Sequence, residues 1–380
     1  MQVRVNASID DIEPSDWNEL AGSRYPFLSH AFLKAAEDTG CVSAETGWQP
    51  RHLTLEDDDG AILGAMLLYE KSHSWGEFVF DWAWANAYHR AGFPYYPKLV
   101  SAVPFTPAPC PKLLLRDDAD PGLARVLVDA GVTLARETDC SSFHVLFPVE
   151  DELPVLESAG LKTRKDCQFH WHNRGYSDFD DFLATFNARK RKKAKRDRRH
   201  VEESGIRFRH LHGEDMDPAL WEQVYRLINL TFMRRGSTHY FDLDFFLQVS
   251  RAMPGQVLVI LAEIGDAEPV AAAVFFESAD ALYGRYWGST GNYNALHFET
   301  CYYQGIDYCI QKGIKLFEPG TQGEHKVSRG FIPEPTWSAH WLAHPEFFAA
   351  ISDYLELEID DVERYMRSVD ERSPYRRPAE

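Results

Sequence analysis

Residues 52–70, HLTLEDDDGAILGAMLLYE, and residues 258–277, LVILAEIGDAEPVAAAVFFE, share one plan: two apolar runs of strand length joined by an acidic, glycine-bearing turn. The first predicts strands over His52–Leu55 and Ala61–Tyr69 around Glu56 to Gly60, the second over Val257–Glu263 and Val270–Glu277 around Gly265 to Pro269. Working outward, the order of elements also repeats. Around the first hairpin lie a helix opened by Ser29 as N-cap and closed by Gly40, helical spacing over 121–138, a strand over Ser142–Phe147, a short helix over Leu153–Ser158 and a strand over Cys167–His172. Around the second lie helices over Phe179–Glu203, Leu220–Arg234 and Phe245–Ala252, a strand over Ala281–Trp287, a long helix capped by Asn294 and running to Lys312, and a strand over Ile314–Phe317. The Pro-rich stretch 93–111 predicts neither a regular helix nor a central strand. Two copies of one α/β unit is the economical reading.

Length supports it, because 380 residues exceed what one hydrophobic core usually organises. The chain has no run of about 18 apolar residues and no apolar signal segment at its start, so the expected compartment is the cytoplasm. Six cysteines without a C-x-x-C pair predict buried free thiols rather than a zinc or disulfide framework. The pairs His170-Trp-His172 and His210-Leu-His212 lack a third ligand at metal spacing, so no metal is expected.

The formal charge of −18 is unevenly spread. Residues 189–199, RKRKKAKRDRR, hold nine cations and one anion, which leaves −26 for the remainder. Clustering of this kind builds a local anion site in an acidic protein. As a helix the run is cationic on every face, so it is predicted to be solvated or covered by ligand rather than to bury a stripe. No helix-turn-helix accompanies it, which excludes DNA readout.

The strand over Ile314–Phe317 leads into Glu318-Pro-Gly-Thr-Gln-Gly-Glu-His-Lys-Val-Ser-Arg-Gly-Phe331. Loops leaving the carboxyl end of a strand hold ligands in open α/β sheets, and this one carries carboxylates, an imidazole, an ammonium and a guanidinium. Lys326 suits an oxyanion; Glu318 suits a proton acceptor, with Glu324 and His325 as competitors. Glu299, in a first helical turn, is explained equally well by the helix dipole. The alternative for the whole loop is a solvated turn held by local ion pairs.

Three segments carry a family resemblance: Phe27-Leu-Ser-His-Ala-Phe-Leu33, Phe182 to Ala194, and Phe317 to Phe331. With them the chain resembles the Fem-type aminoacyltransferases, and more closely the FemAB-like branch of N-acyltransferases linked to peptidoglycan biosynthesis. His325 stands where that family has an aromatic residue before its lysine, Glu318 replaces an aspartate, and there is no long coiled-coil insertion.

The resemblance implies tandem GNAT-like domains, each a mixed β-sheet flanked by helices: 1–165, then 166–344 with the basic helix 181–204, then 345–380 as a helix packing back on the first domain with a polar tail. It implies an N-acyltransferase acting on an amine of a cell-wall precursor or related small molecule, with acyl-CoA or aminoacyl-tRNA as donor and no metal. The expected catalytic residues are Lys326, Glu318 and His325. The expected binding residues are Arg189, Lys192, Lys193, Arg196, Tyr286, Trp287, Glu299, Gln322, Glu324 and Arg329, with residues 288–294 seating the donor's pyrophosphate or carbonyl at a helix N-terminus. Expected partners are a phosphate-bearing substrate, tRNA as a candidate, and a peripheral membrane contact, without DNA. The competing reading is a non-catalytic protein that holds RNA or anionic lipid on the basic helix.

Overall fold

A computed structural model describes residues 1–265, 268–321 and 323–376. The chain divides into two compact units, Met1–Cys167 with Pro335–Arg364, and Gln168–Glu334 with the segment from Tyr365 onward.

The strands of the first unit are β1 (Gln2–Asn6), β2 (Trp48–Pro50), β3 (His52–Glu56), β4 (Ile62–Met66), β5 (Tyr69–Lys71), β6 (Lys98–Ser101), β7 (Leu114–Leu115) and β8 (Ser142–Leu146). The predicted hairpin is β3/β4, in register with Leu53 opposite Met66, inside an antiparallel sheet of order β1-β3-β4-β7. A second set runs β2-β5-β6-β8, in which β6 and β8 are parallel and helix Leu123–Glu137 makes the crossover. Leu53, Met66, Leu99, Leu127 and Phe143 share one core across these layers.

β6 corrects the expectation for the Pro-rich stretch. It pairs on both sides, Val100 with Tyr69 of β5 and Leu99 with Phe143 of β8. The four residues Lys98–Ser101 lie between Pro97 and Pro104 and keep every N–H that two ladders require, so the prolines bound the strand without interrupting it.

β9 (Lys162–His172) begins five residues earlier than expected. The second unit continues with β10 (Ile206–His212), β11 (Val257–Ile264), β12 (Ala271–Glu277), β13 (Ala281–Ser289) and β14 (Leu316–Glu318); the last strand is β15 (Ile332–Leu342). Their order is β10-β11-β12-β13-β14-β9, antiparallel except for the parallel pair β13/β14. The second predicted hairpin is β11/β12, with Val259 opposite Val274; two residues of its turn, 266 and 267, lie outside the described residues.

Two predicted helices differ in form. The run 179–203 is broken into Phe179–Ala184 and Ala188–Glu203, because Asn187 leaves the helix to accept Lys190 N–H as an N-cap. The long helix does not start at Asn294. It begins after Ala295 in the left-handed region (φ 62°), with one turn at Leu296–Phe298, a π-helical turn at Glu299–Tyr303, and an α-helix Gln304–Lys312 closed by Gly313 at φ 72°. Such π turns cluster at functional sites. At the carboxyl end, helix Pro345–Asp370 places Ile351 and Leu355 against Trp84 and Tyr88 of the first unit.

Candidate active site

β13 and β14 pair in parallel for three residues, from Ala281 with Leu316 to Tyr283 with Glu318. β14 then stops while β13 runs on to Ser289, which opens a crevice at the carboxyl ends of two parallel strands. A groove of about 270 Å³ lies beside the extended end of β13, between Trp287 and Ser289, the turn Gly291–Tyr293, His297, and Thr231, Arg234 and Arg235 at the end of helix Pro218–Arg234. That helix lies directly on the strand at Gly288, where a Cβ would sit 2.0 Å from the Leu227 carbonyl group.

Two arginines and no carboxylate line the groove. Arg234 donates to the carbonyls of Ser289 (2.9 Å) and Thr290 (2.8 Å), fixing the turn. Arg235 is exposed and its side chain has no hydrogen bond or ion pair among the described residues. In a chain of net charge −18 this groove has the polarity of an anion site.

The loop after β14 brings its charges together unequally. Glu318 is buried and held bidentate by Arg285, at 3.0 and 3.3 Å, which commits both carboxylate oxygens. Lys326 is 2% exposed, and its one hydrogen bond among the described residues goes to the Gly320 carbonyl at 2.5 Å. Burial, reinforced by Arg285 and opposed by Glu318 and Cys301, brings its amine down to about 7. His325 is hydrogen-bonded to the Tyr302 hydroxyl through Nε2 at 2.9 Å. Its imidazole is kept below its usual range by burial, then by Arg329 and Lys326. His297 packs on Trp287 (5.3 Å between rings) and lies 6.2 Å from His325. Burial, and then the charges of His325, Arg329, Arg235 and Lys326, bring His297 down to about 4, so the imidazole lining the groove is neutral near neutral pH.

The other expected site residues scatter. Trp287 lines the groove, whereas Tyr286, on the opposite face of β13, packs on Phe246. Glu324 is on the surface with Arg372 (2.7 Å) and the Tyr365 hydroxyl (3.2 Å). Glu299 is buried, takes hydrogen bonds from Arg198 and Gln304 on Oε1, and leaves Oε2 without a partner among the described residues; burial raises its carboxyl pKa. Gln322 lies outside the described residues.

Arg189, Lys192, Lys193 and Arg196 stand exposed on helix Ala188–Glu203, without ion pairs among the described residues. That helix nevertheless buries a stripe, Ala194, Asp197 and Val201, contrary to the expectation of a helix cationic all round. A spacing of three and four residues needs only an alanine, an aspartate and a valine to make an inward face.

Sequence reasoning missed Arg234, Arg235, Arg285, Tyr302 and Cys301. Arg285 carried a signal, since a cation inside an apolar strand needs a buried anion and Glu318 was available. Arg234 and Arg235 carried little, because arginines at a helix carboxyl end are common complements of the helix dipole.

A family described as peptidoglycan biosynthesis/recognition, FemAB-like, matches residues 8–377, and the chain belongs to it. The crystal structure of FemX is similar over 93% of this chain and 100% of its own, with a TM-score of 0.57 and 11% identity. The C-terminal domain of a protein named as a lysylphosphatidylglycerol synthetase from Agrobacterium fabrum is similar over 90% and 96%, with a TM-score of 0.56 and 10% identity. L-PGS from Bacillus licheniformis is similar over 85% and 96%, at 0.52 and 9%. At these identities the likeness is one of fold, and it agrees with the tandem GNAT-like α/β architecture read from the sequence. No curated protein matches the chain. Among the described residues no helix is long and apolar enough to cross a membrane, and no three His, Cys, Asp or Glu side chains stand where they could hold a metal ion.

Proposed function

We propose that the protein is an N-acyltransferase that moves an acyl or aminoacyl group from a phosphate-bearing donor to an amine of a cell-wall precursor or related small molecule. The observation that carries this reading is the acid-free groove with its two arginines, whose His297 lies 6.2 Å from His325, the residue before a buried lysine whose amine is brought down to about 7. Membership of a peptidoglycan-related family supports it. Acyl-CoA and aminoacyl-tRNA both meet the requirement for phosphate, and both belong to the cytoplasm, the compartment we assign. Arg235, free to turn toward the groove, and the exposed cations Arg189, Lys192, Lys193 and Arg196 would meet the phosphates.

In the reaction the acceptor nitrogen attacks the acyl carbonyl. The new C–N bond forms, the donor's C–O or C–S bond breaks, and the amine must give up a proton. Glu318, the acceptor expected from sequence, is committed to Arg285; its role here is to hold that cation beside the loop. The proton goes instead to Lys326, which burial makes a neutral amine over a large part of the population near pH 7. His325 and Tyr302 hold the turn beside it.

The test is transfer of label from candidate donors to amine acceptors, measured across pH. A neutral lysine base predicts kcat/KM rising with pH through about 7. A profile that falls over that range would instead make Lys326 an ammonium ion serving the oxyanion. A second reading, binding without chemistry, draws on the cationic outer face alone; polyanion binding without transfer from any donor would establish it in place of the first.

A further inference from the structure

Arg329 is among the largest fully buried side chains of the protein. Its guanidinium turns inward: Nη1 donates to the His325 carbonyl at 2.6 Å and to Ser328 Oγ at 3.2 Å, closing the turn Glu324–Arg329 that carries His325 and Lys326. The guanidinium carbon lies 3.3 Å from the centre of the Phe298 ring, and Nε has no partner among the described residues. Its anionic neighbour is Asp197, at 3.9 Å.

Asp197 is the one acid between residues 189 and 201, and it stands on the buried stripe of an otherwise cationic helix. The next residue, Arg198, reaches the other element of the site. It donates to Glu299 at 3.1 Å and to Asp307 at 3.3 Å, and lies 4.1 Å from the centre of the Phe179 ring. Two consecutive residues of one helix therefore hold the turn of His325 and Lys326 and the π-helical turn of Glu299 and Tyr302. The Tyr302–His325 hydrogen bond joins those two turns directly.

We propose that Arg329 and Asp197 are positioning residues: the pair fixes the turn that carries His325 and Lys326 against helix Ala188–Glu203, and Arg329 does not itself bind substrate. The proposal rests on the N-acyltransferase reading for its kinetic consequences but not for its structural ones. The same charge has an electrostatic effect. His325 faces Arg329 and Lys326 on its own turn and Tyr302, His297 and Phe298 on the neighbouring one, while His297 faces His325, Arg329, Lys326 and Arg235. Arg329 holds both imidazoles below their usual range.

The experiment compares Arg329→Met, Arg329→Lys and Asp197→Asn with the unaltered chain, using two readouts. Histidine NMR titration needs no substrate: Arg329→Met should move the His325 and His297 titrations to higher pH, and Arg329→Lys should largely restore them. In the transfer assay, Arg329→Met and Asp197→Asn should lower kcat by up to about 10²-fold with KM for donor and acceptor unchanged, as expected when a reacting group is misplaced by about 1 Å. The double variant Asp197→Asn with Arg329→Met removes both buried charges and guards against simple unfolding of a single variant. A raised KM at unchanged kcat in Arg329→Met would overturn the proposal in favour of direct substrate binding, and so would an Asp197→Asn protein with unaltered titrations and turnover. Absence of transfer in the unaltered chain would count against the acyltransferase reading, while the titrations would still decide the positioning role.

Discussion

Each unit contains one pair of parallel strands made by a helical crossover, and the two pairs end differently. In the first unit β6 and β8 are parallel, with β5 antiparallel beside β6; in the second, β13 and β14 are parallel, with β12 antiparallel beside β13. Both have a buried lysine near the carboxyl end of the pair. Lys112 donates to the carbonyls of Phe147 (2.8 Å) and Cys110 (2.6 Å) and lies 3.0 Å from Cys110 Sγ, so its ammonium is fully engaged. Among the described residues Lys326 has the Gly320 carbonyl alone. In the first unit the chain beyond β6 is packed away, with Val103, Phe105, Ala108 and Cys110 all buried, whereas the corresponding turn after β13 stays open around the arginine groove. The same topological position has become packing in one unit and a candidate site in the other, and the difference lies in the segment that leaves the first strand of each pair.

The largest expected effect separates the two lysines. Lys326→Met should lower turnover by about 10²–10⁴, the span of a lost acid–base group, while its melting temperature holds or rises, because the burial that depresses its pKa is a cost to the fold. Lys112→Met should do the reverse, leaving turnover intact while the abandoned carbonyls cost about 1–3 kcal/mol of stability. Denaturant melts and kcat on the two variants check this. Loss of turnover in a stable Lys112→Met protein would break the comparison.

The next effect concerns how closely a helix lies on each sheet. A Cβ on Gly288 meets backbone atoms of Leu227 at 2.0 Å, whereas a Cβ on Gly131, in the first unit's crossover helix, meets the edge of the Phe143 ring at 2.8 Å. A ring can turn and a helix backbone cannot. Gly288→Ala should therefore cost at least the roughly 1–3 kcal/mol typical of overpacking and raise KM for the donor as the Arg234–Arg235 end moves off the strand. Gly131→Ala should cost less and leave KM alone. Equal losses in the two variants would show that the groove does not depend on this close approach.

What the sequence showed and what it hid divide along the same line. The β3/β4 and β11/β12 hairpins, the Ser29 cap and the short helix Leu153–Ser158 were legible, because period-two apolar runs, turn residues and caps are local signals. β6 was hidden by the prolines on either side of it, and β1 by side chains that are mostly exposed. The loop 318–331 could be singled out, but the commitment of Glu318 to Arg285 depends on β13 and β14 being neighbours. The groove draws on residues 231–235, 287–293 and 296–297, which come together only because helix Pro218–Arg234 packs on β13 at Gly288. In the sequence Asp197 is one anion in a basic run, and only the helix shows that its side faces in.

The smallest effect tests a feature the units share, the burial of neutral imidazoles. In the first unit His144 and His340 face each other across β8 and β15, Nδ1 to Nδ1 at 2.7 Å, and burial holds both well below the usual range. In the second, His170 is brought to about 3 and His297 to about 4, mainly by burial. A histidine whose folded pKa is depressed binds its proton first in the unfolded chain. Its contribution is therefore fully present above about pH 6.5 and is lost as pH falls toward the folded value. The histidines' share of the urea midpoint should hold between about pH 7 and 8 and decline below about 6.5, on top of the rise with pH that Lys326, its amine brought down to about 7 in the fold, contributes. Each such histidine adds at most about 1.4 kcal/mol per pH unit to that decline. His297→Gln removes one of them, so its stability loss between about pH 7 and 5.5 should be smaller than that of the unaltered chain by about 1 kcal/mol, in a range above most carboxylate titrations. An identical decline in both proteins would mean that His297 is protonated as readily in the folded groove as in the open chain, and that the positive surroundings of the second unit's crevice do not act on it.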